Sequence, residues 1–256
     1  MNTILEVSEL TVRFGALVAV NGVTFAAQRG KITSVIGPNG AGKSSLFNLI
    51  SGAFPPSSGR VIFDGKEMTG ARPNEMLAAG LSRSFQITNL FFDLPVRENL
   101  RLAAQFLEGG RGRLRPVSRS LVATARVEEL IEQFALAAKA DELAGYLSHG
   151  EQRRLEIAVA LASKPRMLLL DEPTQGMSQR DTDETAALIR SLVRDDLSVL
   201  LVEHDVDLVM DLSDWIVVMH QGQKLAEGLP TDVRANASVQ AAYFGDSAET
   251  TGVQHA

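Results

Sequence analysis

Three short runs in this chain combine residue types that could hold and cleave a phosphate. The first is Gly37-Pro38-Asn39-Gly40-Ala41-Gly42-Lys43-Ser44, which fits the spacing G-x-x-x-x-G-K-[ST]. Glycines let backbone N–H groups curl around phosphate oxygens in conformations that a side chain would block. The run opens onto a helical segment, whose first N–H groups lack partners and favour an anion. Lys43 has the reach for β- and γ-phosphates, the Ser44 hydroxyl is a ready Mg²⁺ ligand, and Ser45 follows at the same helix start. A chance glycine-rich turn is the plain alternative, and the strand before and helix after argue against it.

The second run is Met167-Leu168-Leu169-Leu170-Asp171-Glu172. Four apolar residues make a buried strand, and two acids emerge at its carboxyl end, the edge where open α/β sheets bind ligands. Asp171 is placed to hold Mg²⁺, directly or through water, and Glu172 to orient and deprotonate an attacking water. In isolation two acids after a strand are an ordinary polar turn; beside a phosphate loop they read as catalytic. The third run is Leu147-Ser148-His149-Gly150-Glu151-Gln152. Ser148-x-x-Glu151 is a capping box that starts a helix. A capped helix with Gly150 in its first turn is also an anion site with a hydroxyl alongside. One nucleotide does not need two such cradles from one chain, whereas two chains facing head to tail would use both.

The elements that must position these runs alternate along the chain. Leu5 to Phe14 and Val18 to Gln28 read as strands joined through Gly15, and Ile32 to Ile36 as a short strand ahead of a helix from Ser44 to Ser51. Val61 to Phe63 enters a tight turn at Asp64-Gly65. From about residue 73 helix formers dominate, with Arg97 to Leu107 and Leu121 to Ala138 as the long segments and the basic stretch 109–119 between them, read as a solvated loop. Alternation then returns. A helix runs to about Ser163, followed by strands at Met167 to Leu170 and Ser198 to Val202, helices at Asp181 to Arg194 and Val206 to Leu212, and a closing hairpin around Gln221-Gly222. The expectation is a single α/β domain over 1–245, with a helical subdomain of about 73–160 that includes the Ser148 segment, and a frayed tail over 246–256.

With 256 residues, 45% of them hydrophobic, a large core fits and disorder does not. The formal net charge of −6 counts against binding nucleic acid through its phosphates. Absence of cysteine removes disulfides, thiolate metal sites and a cysteine nucleophile. No apolar run approaches the roughly 20 residues of a membrane span, and the N-terminus lacks a signal-peptide layout. The chain is therefore expected in the cytoplasm, reaching any membrane through partners.

Gly37 to Ser44, Leu147 to Gln152, Leu168 to Glu172 and His204, in this order, resemble the ATP-binding subunit of an ABC transporter, and the likeness covers nearly the whole chain. The resemblance implies a P-loop NTPase core with a mixed, mainly parallel sheet, an N-terminal antiparallel β subdomain and an inserted helical subdomain. It implies ATP and Mg²⁺ as ligands. Ser148, Gly150 and Glu151 of one subunit would close over the γ-phosphate held by the other. Gln86, in Ser84-Phe85-Gln86, resembles the glutamine that touches Mg²⁺ and water and borders the transporter contact. His204 resembles the histidine that senses the γ-phosphate, and Phe14 the aromatic that stacks on adenine; a core aromatic is the rival reading for Phe14. The implied partners are a homodimer or a heterodimer with a second ABC ATPase, transmembrane permease subunits and, indirectly, a substrate-binding protein, at the inner face of the cell membrane.

Two departures from the family pattern narrow the likeness. His149 stands where glycine is usual, and Gly176-Met177-Ser178 replaces the usual Ala-Leu-Asp ending after Gln175. Both resemble the LivG-like ATPases of branched-chain amino acid importers, as do Arg83-Ser84-Phe85-Gln86, Val96-Arg97-Glu98-Asn99, Arg153 to Ala158 and the ending Ala242-Tyr243-Phe244-Gly245. A related branch importing urea or short amides shares the histidine. Outside transport, an ABC ATPase acting on ribosomes or DNA would ordinarily carry two ATPase units or long coiled coils. A GTPase would need an Asn-Lys-x-Asp motif, which is not found, and a kinase leaves Leu147 to Gln152 unexplained.

Overall fold

The computed structural model describes residues 2–84, 90–108 and 120–244. The chain opens with a long antiparallel hairpin, β1 (Thr3–Phe14) and β2 (Leu17–Gln28), in which Phe14 pairs with Leu17 across the turn at Gly15. β3 (Ile32–Ile36) follows, then α1 (Lys43–Ile50) and a second hairpin, β4 (Ser58–Phe63) with β5 (Lys66–Glu67). Asp64 and Gly65 between them both take left-handed φ, 49° and 74°, as a type I′ turn requires. α2 (Pro73–Ala79) leads to β6 (Leu81–Arg83). The helical portion holds α3 (Val96–Ala104), a 3₁₀ turn at Gln105–Glu108, α4 (Leu121–Gln133) and α5 (His149–Leu161). β7 (Met167–Asp171), α6 (Gln179–Leu192), β8 (Ser198–Val202), α7 (Val206–Leu212), β9 (Trp215–His220) and β10 (Gln223–Gly228) restore the alternation, and α8 (Pro230–Ala235) and α9 (Ala237–Phe244) close it.

Among the described residues the strands form two sheets, a four-stranded one ordered β2-β1-β4-β5 and a six-stranded one ordered β10-β9-β3-β8-β7-β6. The first is antiparallel. The second is parallel except for the β9–β10 hairpin. Every residue of β3, β7 and β8 is buried, as in parallel strands covered on both faces. β7 and β8 are mostly apolar, whereas β3 buries Thr33 and Ser34, the latter bonded to the Ser213 hydroxyl at 2.5 Å. Alternation still decides which core each side chain enters. Leu168, Leu170, Val199 and Leu201 face the helical side with Leu100, Leu130 and Leu155. Met167, Leu169, Leu200 and Val202 face the β-rich side with Leu46, Phe47 and Phe63.

Three features differ from the sequence reading. β6 is a strand inside a stretch read only as helical; its three residues contain no β-branched side chain. The helix expected to reach Ala138 stops at Gln133, where Phe134 caps it and Ala135 turns back at φ 53°. The short helices α8 and α9 are absent from the sequence reading, whereas α2 opens the stretch read as helical. The basic stretch 109–119 and the tail 246–256 lie outside the described residues. Among the described residues no helix is long and apolar enough to cross a membrane.

α8 and α9 cover the end of β3, where Val233 and Val239 pack on Ile36, Ile216 and Val218, with Tyr243 against them. Burial pushes the Tyr243 phenol up to about 12, partly offset by a hydrogen bond from the Gly37 backbone N–H. With the folded value raised, the stabilisation from the neutral phenol is intact below its ordinary value near 10. It is lost as pH rises through about 12. A spectrophotometric titration of the folded protein should show a phenolate that forms late, at about pH 12, and Tyr243→Phe should abolish that late phase; its absence from the parent would contradict the burial.

Candidate functional site

The sheet register lines up the chemistry. Val35 of β3 pairs with Val202 of β8, and Val202 with Asp171 of β7. At this level the three neighbouring strands end at one edge. Beyond it the chain delivers the Gly37–Ser45 loop, His204 and Glu172, the loop more than a hundred positions before the other two but all at the same sheet edge.

Two glycines let the loop fit. A β-carbon on Gly37 would stand 2.1 Å from the Met219 carbonyl oxygen, and one on Gly42, at φ 95°, 2.5 Å from the Ala19 carbonyl oxygen. Lys43 is 5% exposed, and its Nζ donates to the carbonyls of Gly37 at 2.6 Å and Pro38 at 3.1 Å. Burial holds its pKa below the ordinary lysine value, while Glu172 and Asp171 pull it back upward. Asn39, Gly40, Ala41, Gly42, Lys43, Ser44 and Ser45 line a cleft of about 590 Å³ together with Glu172, His204, Val18 and Gly222. Its volume suits a drug-sized or nucleotide-sized ligand.

Asp171 is 1% exposed. Its Oδ2 accepts from Arg83 at 2.9 Å, and its buried Oδ1 has no partner among the described residues. An oxygen left so inside a protein calls for a ligand. Together with the Ser44 hydroxyl this donor set fits a hard, oxygen-seeking cation such as Mg²⁺.

Glu172 is 8% exposed and holds a left-handed φ of 48°, rare for a residue with a β-carbon. Its Oε1 lies 2.5 Å from Nε2 of His204. Beneath this pair sits Glu203, 4% exposed, whose Oε1 accepts from the Thr174 amide at 2.8 Å and the Thr174 hydroxyl at 2.7 Å, and whose Oε2 accepts from the His204 amide at 3.1 Å. Glu203 thus ties the loop bearing His204 to the turn after Glu172. Neither Glu203 nor Arg83 was singled out for a role from sequence. Glu203 follows an apolar strand, which is the only physical signal for it, and Arg83 falls in a stretch read as helical, so its place at a strand end gives no signal.

The structure places the remaining candidates elsewhere. Ser148 caps α5, its hydroxyl accepting from the Glu151 amide at 3.4 Å, while Glu151 Oε2 accepts from the Ser148 amide at 2.8 Å and hydroxyl at 2.9 Å. These bonds, the backbone one first, keep the Glu151 carboxyl below its usual range. Ser148 and Gly150 do not line the Lys43 cleft; they border a separate one with Arg154 and Asp181. Phe14 is 47% exposed at the tip of the first hairpin, edge-on to Phe54 with 5.8 Å between ring centres. Gln86 lies outside the described residues.

A phosphate loop at a helix start, a buried carboxylate oxygen without a partner among the described residues and an acid–histidine pair on one sheet edge define a P-loop nucleotide-binding cassette. The family model described as ABC transporter matches residues 20–175. A second, described as branched-chain amino acid ATP-binding cassette transporter, matches residues 223–249. The high-affinity branched-chain amino acid transport ATP-binding protein BraF of Pseudomonas aeruginosa is 41% identical, covering 95% of this chain and 98% of its own length. The corresponding LivG protein of Escherichia coli is 38% identical at 95% and 98% coverage. Among solved structures, a nucleotide-free ATP-binding cassette from an ABC transporter superposes with a TM-score of 0.84 at 29% identity, covering 94% of this chain and 98% of that one. The ADP conformation of an ATP-binding cassette of an ABC transporter gives 0.84 at 30% identity, with 96% and 100% covered. The chain belongs to the ABC transporter family as one of its ATP-binding, ATP-hydrolysing subunits.

Proposed function

We propose that this subunit drives an importer of branched-chain or other small amino acids, with one cassette domain over 1–245. The match over residues 223–249 and the names of the relatives support the substrate class. The observation that carries the mechanism is that the Lys43 cleft and the Ser148–Gly150 cradle do not share one cavity. A second ATPase subunit, identical or related, brings its own Ser148 and Gly150 equivalents to the open face of the Lys43 cleft.

In this reading the loop amides from Gly37 to Ser45 wrap the β- and γ-phosphates, Lys43 leaves its carbonyl partners for phosphate oxygens, and Phe14 stacks on adenine. Ser44, Asp171 Oδ1 and Gln86 would hold Mg²⁺, which supplies charge neutralisation at the phosphates. Glu172, aimed by His204, takes a proton from water as the water oxygen bonds to the γ-phosphorus, and the bond to ADP breaks. ATP is tighter in the closed pair than ADP, so binding closes the pair and hydrolysis opens it, a population shift that permease subunits at the inner face of the membrane follow. His149 is also shared by a related branch importing urea or short amides, the second substrate class. Uptake of labelled leucine against labelled urea by the reconstituted importer separates the two.

Ser148→Ala tests the shared site. As a cap alone Ser148 is worth about 0.5–2 kcal/mol, and its loss would leave turnover intact. As a phosphate donor in trans its removal should cut turnover by about 10²–10³-fold while ATP binding to each subunit persists. A variant that merely melts earlier and hydrolyses at the parental rate would refute the shared site.

A further inference from the structure

Arg153, on the second turn of α5, is 8% exposed and spends its guanidinium on the peptide frame around Glu172. Nε donates to the Pro173 carbonyl at 2.9 Å, and Nη2 to the Asp171 carbonyl at 3.4 Å. Nη1 donates to Glu156 Oε2 at 2.6 Å, a carboxylate itself 10% exposed, which balances the buried charge. The two carbonyls belong to the residues immediately before and after Glu172. A rigid planar fork suits such a grip, where an ammonium would reach one carbonyl at a time.

The grip has something to resist. Glu172 sits at φ 48° with a β-carbon, a conformation that persists only when the surroundings over-determine it. Other supports include the Glu172 amide bonded to the Val202 carbonyl at 2.9 Å, the Gln175 amide on the Glu172 carbonyl at 3.2 Å, and Glu203 on Thr174. The first and last come from the β8 side, the second from within the turn. Arg153 grips from the α5 side, and α5 is capped by Ser148 and has Gly150 in its first turn, roughly 7.5 and 4.5 Å of helix away at 1.5 Å per residue.

We propose that Arg153 is a positioning residue for hydrolysis: it holds the Glu172 peptide in its left-handed turn and makes α5 a rigid link between the Ser148–Gly150 cradle and the acid of the same chain. The inference rests on Glu172 being the base. A ligand seated in the cradle then bears, through α5 and Arg153, on the geometry of Glu172. Each nucleotide of a pair thereby reads the other.

The test uses Arg153→Met and Arg153→Lys in the full chain, alone and combined with Glu172→Gln. Arg153 does not line the Lys43 cleft, so ATP affinity should stay within about twofold while kcat falls about tenfold or more, a split expected of lost transition-state positioning. Lysine should restore part of kcat. In the Glu172→Gln background Arg153→Met should leave the residual rate nearly unchanged, because residues acting as a unit are non-additive. A parental kcat in Arg153→Met, or the same fall in both backgrounds, overturns the proposal. Should the methionine variant not fold, Arg153→Lys decides: several-fold lower kcat at unchanged ATP affinity supports the link, parental kcat overturns it. If Glu172→Gln alone hydrolyses at the parental rate, the base assignment fails, whatever Arg153 does.

Discussion

Replacing Glu172 by glutamine should lower ATP hydrolysis by about 10²–10⁴-fold, the usual weight of a positioned base, and leave an ATP-bound pair that runs at twice 27.6 kDa on gel filtration. The substitution keeps the volume and shape of a side chain that is 8% exposed, so the left-handed turn and its supports should survive. What changes is charge and basicity. The amide cannot accept the proton of the attacking water, and it no longer repels the γ-phosphate across the cleft it shares with Lys43 and Ser44. Both effects hold the pair in its closed, unhydrolysed state. Gel filtration with and without ATP and Mg²⁺, beside a phosphate-release assay, reads the two consequences separately. Hydrolysis at the parental rate would remove Glu172 as the base, whereas loss of hydrolysis with no change in mass would remove the paired-subunit reading and leave the base in place.

Much of this site is legible in the sequence because its local chemistry is contiguous. The loop from Gly37 to Ser44 needs glycines where the β2 and β9 ends approach it, and the 2.1 Å and 2.5 Å β-carbon clearances at Gly37 and Gly42 show why no other residue serves. The acids after Met167 to Leu170 stand out because four apolar residues in a row mark a buried strand, and two carboxylates in succession mark where it reaches the sheet edge. What the sequence does not display is long-range pairing. That β8 lies between β3 and β7, and so sets His204 beside Glu172, depends on a register of strands far apart in the chain. Arg83 illustrates the cost. It belongs to a three-residue strand without a β-branched side chain, yet it binds Asp171, Asn48 and Ser51 at 2.9, 2.7 and 2.9 Å and so orients the Asp171 carboxylate. Glu203 was equally invisible, since an acid beside a histidine reads as surface until Thr174 is found against it. The left-handed φ of Glu172 has no sequence signal, because glycine, asparagine or aspartate would be the usual choice there.

Lys43→Ala should abolish ATP-induced stabilisation while changing the ligand-free protein little. In the free protein the ammonium is buried against the Gly37 and Pro38 carbonyls, and burial already depresses its pKa. Removing it relieves that desolvation but leaves two carbonyls without their donor, so opposing terms of similar size remain. With ATP the balance is one-sided, because the phosphates lose their only lysine within the loop. Truncating one partner of a buried, hydrogen-bonded charge pair costs about 2–5 kcal/mol, or roughly 30-fold and upward in Kd. Since a ligand stabilises the fold by RT ln(1 + [L]/Kd), the ATP-dependent rise in Tm should vanish at concentrations that saturate the parent. The pH dependence supplies a sharper check. Burial, the dominant influence, lowers the pKa of Lys43, so the charged form that phosphate needs is lost at a lower pH than the ordinary 10.5 of a free lysine, despite the opposing pull of Glu172 and Asp171. ATP affinity in the parent should therefore weaken on the alkaline side before that value is reached, with the onset set by the free protein, and Lys43→Ala should bind weakly with no such onset. Equal alkaline profiles in the two proteins would place the phosphate's cation somewhere other than Lys43.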